Sequence, residues 1–249
     1  MANNKLKLND DKTELLVIGR KEELAKVTLP DIEIGECHVS SSRSARNIGI
    51  IQDTELNMKD QINAICRSAY LHLQNIGQVR KYLDRKSTEA IVHAFVTSRL
   101  DNGNALLYGL PKSQIDKLQR IQNMAARIIV RSKKYEHITP HLKALHWLPV
   151  QARIEFKINL LTYKAVNGLA PVYLEELLIP YTSVREVRRN KKGLLHVPQT
   201  KMVTCGDRAF SKAAPVLWNR LPAIVRQQDS LNKFKSSLKH FLFEKYYAS

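Results

Sequence analysis

Hydrophobic positions along the chain change their spacing once, close to Asp53. Before that residue the apolar side chains fall in short runs, which are Thr13 to Gly19, Ile32 to Ile34, Cys37 to Ser40 and Ala45 to Gln52. Runs of this length predict β-strands, and the second and third are close enough to pair as a hairpin. Because these strands do not complete a sheet, we expect either a small antiparallel sheet or the remnant of a larger one.

After Asp53 the apolar residues recur every three to four positions, which predicts amphipathic helices. Candidate first residues or caps of these helices are Ser87, Pro111, Thr139, Pro149, Pro171, Asp207 and Ser230. The predicted helices cover residues 57–80, 86–99, 111–131, 139–145, 149–166, 171–179, 207–218 and 230–246. The predicted fold class is therefore α+β and mainly α-helical. Trp147 and Trp218 are predicted to anchor the core through their large apolar area.

The same pattern predicts four segments. Residues 1–56 hold the small sheet, residues 57–180 a helical bundle, residues 181–206 a linker or loop, and residues 207–249 a helical C-terminal region. The third segment has no sustained period and contains the run Arg188-Arg189-Asn190-Lys191-Lys192.

Charge is distributed unevenly over the 249 residues, whose formal net charge is +17. Residues 1–60 contain 9 Lys or Arg and 11 Asp or Glu, for a net charge of −2, whereas residues 61–249 contain 31 and 12, for a net charge of +19. A surplus of this size attracts a polyanion by phosphate neutralisation and counterion release. The alternative is a basic surface that only keeps the protein soluble.

Cysteine usage and hydropathy argue against several classes of protein. Cys37, Cys66 and Cys205 are far apart and form no C-x-x-C pair, so neither a disulfide framework nor a zinc knuckle is predicted. The N-terminus is polar, and no window approaches the roughly 20 apolar residues that span a bilayer. We therefore expect an intracellular protein, in the cytoplasm or the nucleus, without a membrane partner.

The helix predicted over residues 111–131 offers the best binding surface. Beside its apolar stripe, Arg120, Arg127 and Arg131 are spaced by seven and four residues, which places them on one face. Lys117 and Lys134 extend this set of cations. Such a face either follows a phosphate backbone or is simply solvated.

Acidic residues give no comparable site. Asp10-Asp11 is adjacent to a predicted strand on one side only, so we interpret the pair as a solvated turn rather than a site for two divalent ions. No other carboxylate pattern predicts a metal site. Lys12, the next residue, is by the usual exposure of lysine a surface residue in the same turn.

Several segments, in order along the chain, resemble the C-terminal part of reverse transcriptases of non-LTR retrotransposons, the LINE-type and Jockey-like family. They are the opening Met1 to Leu16, the turn and strand RNIGI at residues 46–50, NGNALLYGLP at residues 102–111, KLQRIQNMAARIIVR at residues 117–131, the stretch from His137 to Leu178, RAFSKAAPVLWNRLP at residues 208–222, and FKSSLK at residues 234–239.

The resemblance implies an RNA-directed DNA polymerase of which this chain carries the end of the palm, the thumb and the C-terminal region. Met1 resembles an internal methionine of a longer reading frame, so the partners implied are an RNA/DNA hybrid and a missing N-terminal polymerase portion. The intact family enzyme uses Mg, but the metal-binding aspartates lie outside this chain. We therefore expect no cofactor here and no polymerase activity from the chain alone.

The resemblance also implies a role for Lys12 as a general acid that protonates departing pyrophosphate, with a surface lysine as the alternative. It further implies a role for Ile48 and Gly49, which match the turn that grips the primer terminus. The family has an aromatic residue and a leucine before this glycine, where this chain has Asn47 and Ile48. Two other hypotheses remain open. One is a stand-alone basic helical module that binds nucleic acid and was reused from an element by its host; the other is a helical scaffold whose charge is incidental.

Overall fold

The computed structural model describes residues 13–27, 31–34, 37–182, 193–200 and 205–248. The chain forms two compact units, Met1–Ala64 and Ile65–Ser249. The boundaries predicted after residues 56, 180 and 206 stay predictions; the division between the two compact units lies after Ala64. The predicted linker at residues 181–206 lies only partly within the described ranges.

The smaller unit is built from short strands. In chain order they are β1 (Leu15–Leu16), then helix α1 (Lys21–Leu24), β2 (Ile32–Ile34), β3 (Cys37–Val39), β4 (Ser41–Ser42), β5 (Ser44–Asn47) and β6 (Ile50–Asp53). β2 pairs with β3 and β5 with β6, both antiparallel, while β1 pairs with β4 in parallel. The hairpin predicted for β2 and β3 is confirmed. The single strand predicted from Ala45 to Gln52 is wrong, because a tight turn divides it into β5 and β6.

Asp53, the last residue of β6, organises the change from strands to helices. Its buried carboxylate accepts hydrogen bonds from the backbone N–H groups of Glu55 at 3.2 Å, Asn57 at 2.9 Å and Met58 at 2.6 Å. These donors precede the helix, so the carboxylate fixes the turn between β6 and the helix through local side-chain-to-backbone hydrogen bonds. The first long helix begins immediately afterwards, at Lys59.

The larger unit is helical. Its elements, including the long helix that enters it from the smaller unit, are α2 (Lys59–Val79), a 3₁₀ turn (Arg80–Tyr82), α3 (Arg85–Val92), a π-helical segment (His93–Thr97), α4 (Ser98–Asp101), a second 3₁₀ turn (Asn104–Leu107), α5 (Lys112–Val130), α6 (Thr139–Ala144), α7 (Val150–Val166), α8 (Val172–Glu175), α9 (Phe210–Asn219), α10 (Ala223–Arg226) and α11 (Leu231–Tyr247). A mainly helical α+β fold with small antiparallel sheets is thus confirmed.

Two predicted helix caps are wrong. The cap of α3 is Asp84, whose carboxylate accepts a hydrogen bond from the backbone N–H of Ser87 at 2.7 Å, so Ser87 is inside the helix. Asp207 lies before the first turn of α9, which begins at Phe210, and its Oδ1 accepts a hydrogen bond from the hydroxyl of Thr200 at 2.5 Å.

The core of the larger unit surrounds α7. The ring of Tyr163 on α7 stacks on that of Phe234 on α11, with 4.2 Å between centroids, and Trp218 on α9 lies 5.9 Å from Phe234. Trp218 is 1% exposed and Trp147 is 5% exposed, which confirms that both tryptophans anchor the core. Aromatic contacts of this kind hold α7, α9 and α11 together.

Gly109 occupies a position that a side chain cannot share. Its φ of +71° is left-handed, and a Cβ built there would lie 2.6 Å from Cγ of Arg208. Arg208 is held in place because its guanidinium donates to the carbonyl oxygens of Tyr108 at 3.1 Å and Leu106 at 3.2 Å. The close approach therefore ties the loop before α5 to the chain that leads into α9.

We predict that Gly109→Ala destabilises the protein. The left-handed backbone costs a residue with a Cβ about 1–2 kcal/mol, and displacement of Arg208 adds about 1–3 kcal/mol. Gly77→Ala is the matched control, because Gly77 lies in α2 with no atom within 4 Å of an added Cβ. The control should gain up to about 1 kcal/mol. Urea unfolding followed by circular dichroism measures both; equal stability of the two variants would contradict the prediction.

Candidate nucleic-acid interface

Within the smaller unit, the turn between β5 and β6 is the first candidate surface. Asn47 pairs with Ile50, which leaves Ile48 and Gly49 as a two-residue connection. The φ angles of Ile48 and Gly49 are 48° and 77°. Positive φ at both central residues is the property of a type I′ turn, whose favoured sequence is Asn-Gly.

Ile48 is an unfavourable residue for this position. Left-handed backbone costs a non-glycine residue about 1–2 kcal/mol, and a β-branched side chain makes such a φ a clear outlier. The side chain is also 90% exposed, so burial of its apolar surface does not offset this strain. A strained apolar residue at the tip of a hairpin is an outlier that points to a function.

Within the larger unit, α5 carries the second candidate surface. The apolar stripe predicted from the spacing has six members. Five are buried and each at most 6% exposed, whereas Ile128 is half-buried; the five are Ile115, Leu118, Ile121, Ala125 and Ile129. Outside this stripe, Lys117 and Arg120 are exposed on the helix, and Lys134 is exposed beyond its end. The sequence therefore identifies the solvent-facing side of α5 correctly.

Two of the predicted binding arginines also hold the fold. Arg127 donates from Nη2 to the backbone oxygen of Glu136 at 3.1 Å, and Arg131 donates from Nη2 to the backbone oxygen of Arg80 at 3.2 Å. Arg131 itself adopts a left-handed φ of 57°, one residue past the end of α5. These contacts fix the positions of both guanidinium groups.

Arg80 is a structural residue that sequence reasoning missed. Its Nε and Nη2 atoms donate to the backbone oxygens of Ile128 and Ile129, both at 2.8 Å, and Nη1 donates to that of Leu83 at 2.6 Å. A cation is favourable at these terminal carbonyls of α5 because the helix dipole is negative there. Desolvation, followed by the charge of nearby Arg131, lowers the pKa of the Arg80 guanidinium.

Of the five cations predicted to bind nucleic acid, Arg120 and Lys134 have side chains that make the fewest contacts with other described residues. Neither side chain forms an ion pair or hydrogen bond with another residue in the described ranges. The acidic group of α5 is already engaged, because Asp116 pairs with Lys112 at 2.9 Å. Their charges thus remain available to an anionic ligand.

Lys12 is the one predicted site residue that lies outside the described part of the chain. Lys12, and with it Asp10-Asp11, belongs to the first 12 residues, of which the structure describes none. Among the described residues, no three His, Cys, Asp or Glu side chains are grouped so that they could hold a metal ion. In the same ranges, no helix has both the length and the apolarity needed to cross a bilayer.

Comparison of the chain with protein-family models, with curated proteins and with solved structures finds no match in any of the three.

We predict that Ile48→Asn stabilises the hairpin by about 1 kcal/mol, because it creates the Asn-Gly pair that type I′ turns favour. Amide hydrogen exchange of β5 and β6 measures this locally, and protection should increase several-fold. Ile48→Val is the control, since it keeps the β-branch and should leave protection unchanged. Faster exchange in Ile48→Asn than in the native chain would contradict the strain argument.

Proposed function

We propose that the chain is the nucleic-acid-binding C-terminal portion of an RNA-directed DNA polymerase of the non-LTR retrotransposon type. In this proposal residues of the smaller unit end the palm and the helices of the larger unit form the thumb. The observation that carries the proposal is the exposed, left-handed Ile48 at the tip of its hairpin. Ile48 lies in residues 46–50, the segment that resembles the family's primer-gripping turn.

Ile48 and Gly49 have complementary roles in the proposal. The isoleucine presents apolar surface that a deoxyribose or a base face can cover, which supplies free energy that the isolated turn lacks. Gly49 carries no side chain, so a strand can approach the backbone closely. In this proposal an isoleucine occupies position 48 despite the backbone strain, because contact with the primer strand depends on that side chain.

The cations of α5 form a second binding surface in the proposal, which lies within the larger unit and is argued by itself. Arg120 and Lys134 neutralise phosphates, and Lys117 adds to the same electrostatic attraction. Arg127 and Arg131 keep N–H donors beyond the one each gives to a carbonyl, so a phosphate can be bound by a guanidinium that is already oriented.

Catalysis is proposed to require residues outside this chain. Phosphoryl transfer in the family depends on carboxylates that hold divalent ions, and the resemblance places these N-terminal to the part of the polymerase that this chain resembles. Purified chain should therefore incorporate no deoxynucleotide on a primed RNA template, while retaining affinity for the hybrid.

We predict that binding to a labelled RNA/DNA hybrid weakens steeply with salt and depends on Arg120 and Lys134. The slope of log K against log salt is negative. The double variant Arg120→Gln/Lys134→Gln should reduce the magnitude of this slope by about 2, since each phosphate contact contributes roughly 0.9. Lys112→Gln/Lys233→Gln is the matched control. It removes the same charge, but from lysines already paired with Asp116 and Asp229.

Equal slopes for the two double variants would contradict the proposed surface. The Ile48→Asn variant tests the hairpin surface of the smaller unit by itself, because it removes apolar contact and no charge. It should bind the hybrid more weakly at every salt concentration with an unchanged slope. Unchanged affinity in this variant would remove Ile48 from the interface.

A genomic observation distinguishes this proposal from a stand-alone binding module. The reading frame directly upstream of Met1 should encode an aromatic residue, a variable residue and two aspartates in a hairpin context. A promoter in place of that frame would favour the module.

A further inference from the structure

A groove on the larger unit is separate from the cations of α5 that the proposed interface uses. It has a volume of about 450 Å³ and lies between the turn after α6, the first half of α7 and the chain from α3 to the second 3₁₀ turn, with Lys239 of α11 at its rim. This volume falls in the range of small-molecule sites, roughly 300–1,000 Å³.

The wall of the groove is apolar and partly aromatic. Phe156 and Leu160 of α7 line it together with Leu145, Trp147 and Leu148 from the turn after α6. This turn ends α6 with His146 in a left-handed conformation, φ 52°, and a hydrogen bond from the N–H of Trp147 to the carbonyl of Leu142 at 3.0 Å. Such a helix end places Trp147 in the wall in a fixed position.

The acidic and basic side chains that line the groove differ in whether they have partners. Two carboxylates line the groove, and each has a nearby partner. Asp101 binds Arg153 through two hydrogen bonds, and Glu89 lies 3.6 Å from Nε2 of His93. Lys157 and Lys239 also line the groove, and neither forms an ion pair with another residue that the structure describes. The groove therefore has three cations, Arg153, Lys157 and Lys239, against two carboxylates, and its two ammonium groups lie beside an apolar wall.

Asn104 adds an unsatisfied acceptor to the same groove. Its Nδ2 is 3.4 Å from Oδ1 of Asp101, while its own Oδ1 is buried and accepts no hydrogen bond from any described residue. A buried acceptor without a donor is unfavourable. Because this oxygen is buried, the features of the groove that favour a ligand are its apolar wall and its two ammonium groups.

We propose that this groove binds a single nucleotide, with its base on the wall formed by Phe156 and Leu160 and its phosphate at Lys157 and Lys239. A nucleotide combines the two features that the groove selects, which are a planar apolar face and a negative charge. Given the proposed function, the natural occupant is the unpaired terminal nucleotide of a bound strand. The ability to hold a nucleotide is independent of hybrid binding by α5.

The proposal is tested by titrating the purified full chain with dAMP, deoxyadenosine and inorganic phosphate in a calorimeter. We expect dAMP to bind at least tenfold more tightly than either part, because base and phosphate are both contacted. The variant Lys157→Gln/Lys239→Gln should weaken dAMP binding about tenfold, or about 1.4 kcal/mol. Its matched control, Lys164→Gln/Lys233→Gln, removes one lysine from each of the same two helices outside the groove and should bind like the native chain.

Each outcome decides for or against the groove. Absence of dAMP binding at millimolar concentration overturns the proposal, as does equal binding by the two double variants or by phosphate alone. The α5 variant Arg120→Gln/Lys134→Gln should bind dAMP normally although it binds hybrid weakly. If dAMP binds and no hybrid binds at any salt concentration, the groove stands and the proposed polymerase interface fails. A hybrid with one unpaired nucleotide should bind more tightly than a blunt one, and only in chains with an intact groove.

Discussion

The larger unit depends on the burial of α7, a helix that carries polar side chains into the core. Glu155 is 7% exposed, and its carboxylate accepts hydrogen bonds from the ammonium of Lys245 and the hydroxyl of Tyr246, both at 2.8 Å. A buried carboxylate is tolerated only with such partners. Desolvation and the charge of Glu155 raise the pKa of Tyr246, so the phenol remains a donor. The end of α11 is therefore fixed to α7 by the requirement to pair one acid.

The same helix positions the basic surface of α5. Gln119 of α5 accepts a hydrogen bond through Oε1 from the first N–H of α7, at Val150, and Gln122 donates to the carbonyl of Leu148, both at 2.9 Å. These two amides satisfy backbone groups at the start of α7 that no residue of that helix can satisfy. They also fix the rotation of α5, because they lie on its inner side. The direction in which Arg120 projects is thus set by contacts to α7.

The long helices could be predicted because their apolar spacing reports directly which side is buried. The stripe from Ile115 to Ile129 needs no knowledge of its neighbours, and its outer face follows from the same spacing. The turn at Ile48 could not be located in this way. Its isoleucine continues the apolar run of the flanking strands, so the pattern predicts one strand, whereas the left-handed backbone at Ile48 and Gly49 makes two.

Arg80 illustrates a second limit of sequence reasoning. Its acceptors at Ile128 and Ile129 are 48 and 49 residues away along the chain, and neither a capping motif nor a local charge pattern marks the pairing. The wrong caps at Ser87 and Asp207 have a related cause. Several nearby residues can accept from the free N–H groups at a helix start, and the path of the preceding chain selects among them.

The arginines at the end of α5 show why net charge alone does not define an interface. Arg127 and Arg131 contribute to the surplus of positive charge, yet each has an N–H group bound to a carbonyl, and Nε of Arg127 is buried without an acceptor in the described chain. A guanidinium can bind a backbone carbonyl and keep further N–H groups because its several donors point in different fixed directions. The cations at the end of α5 therefore stabilise the fold, whereas Arg120 and Lys134 are exposed and make no such contact with a described residue. A count of charges along the sequence does not distinguish these two groups.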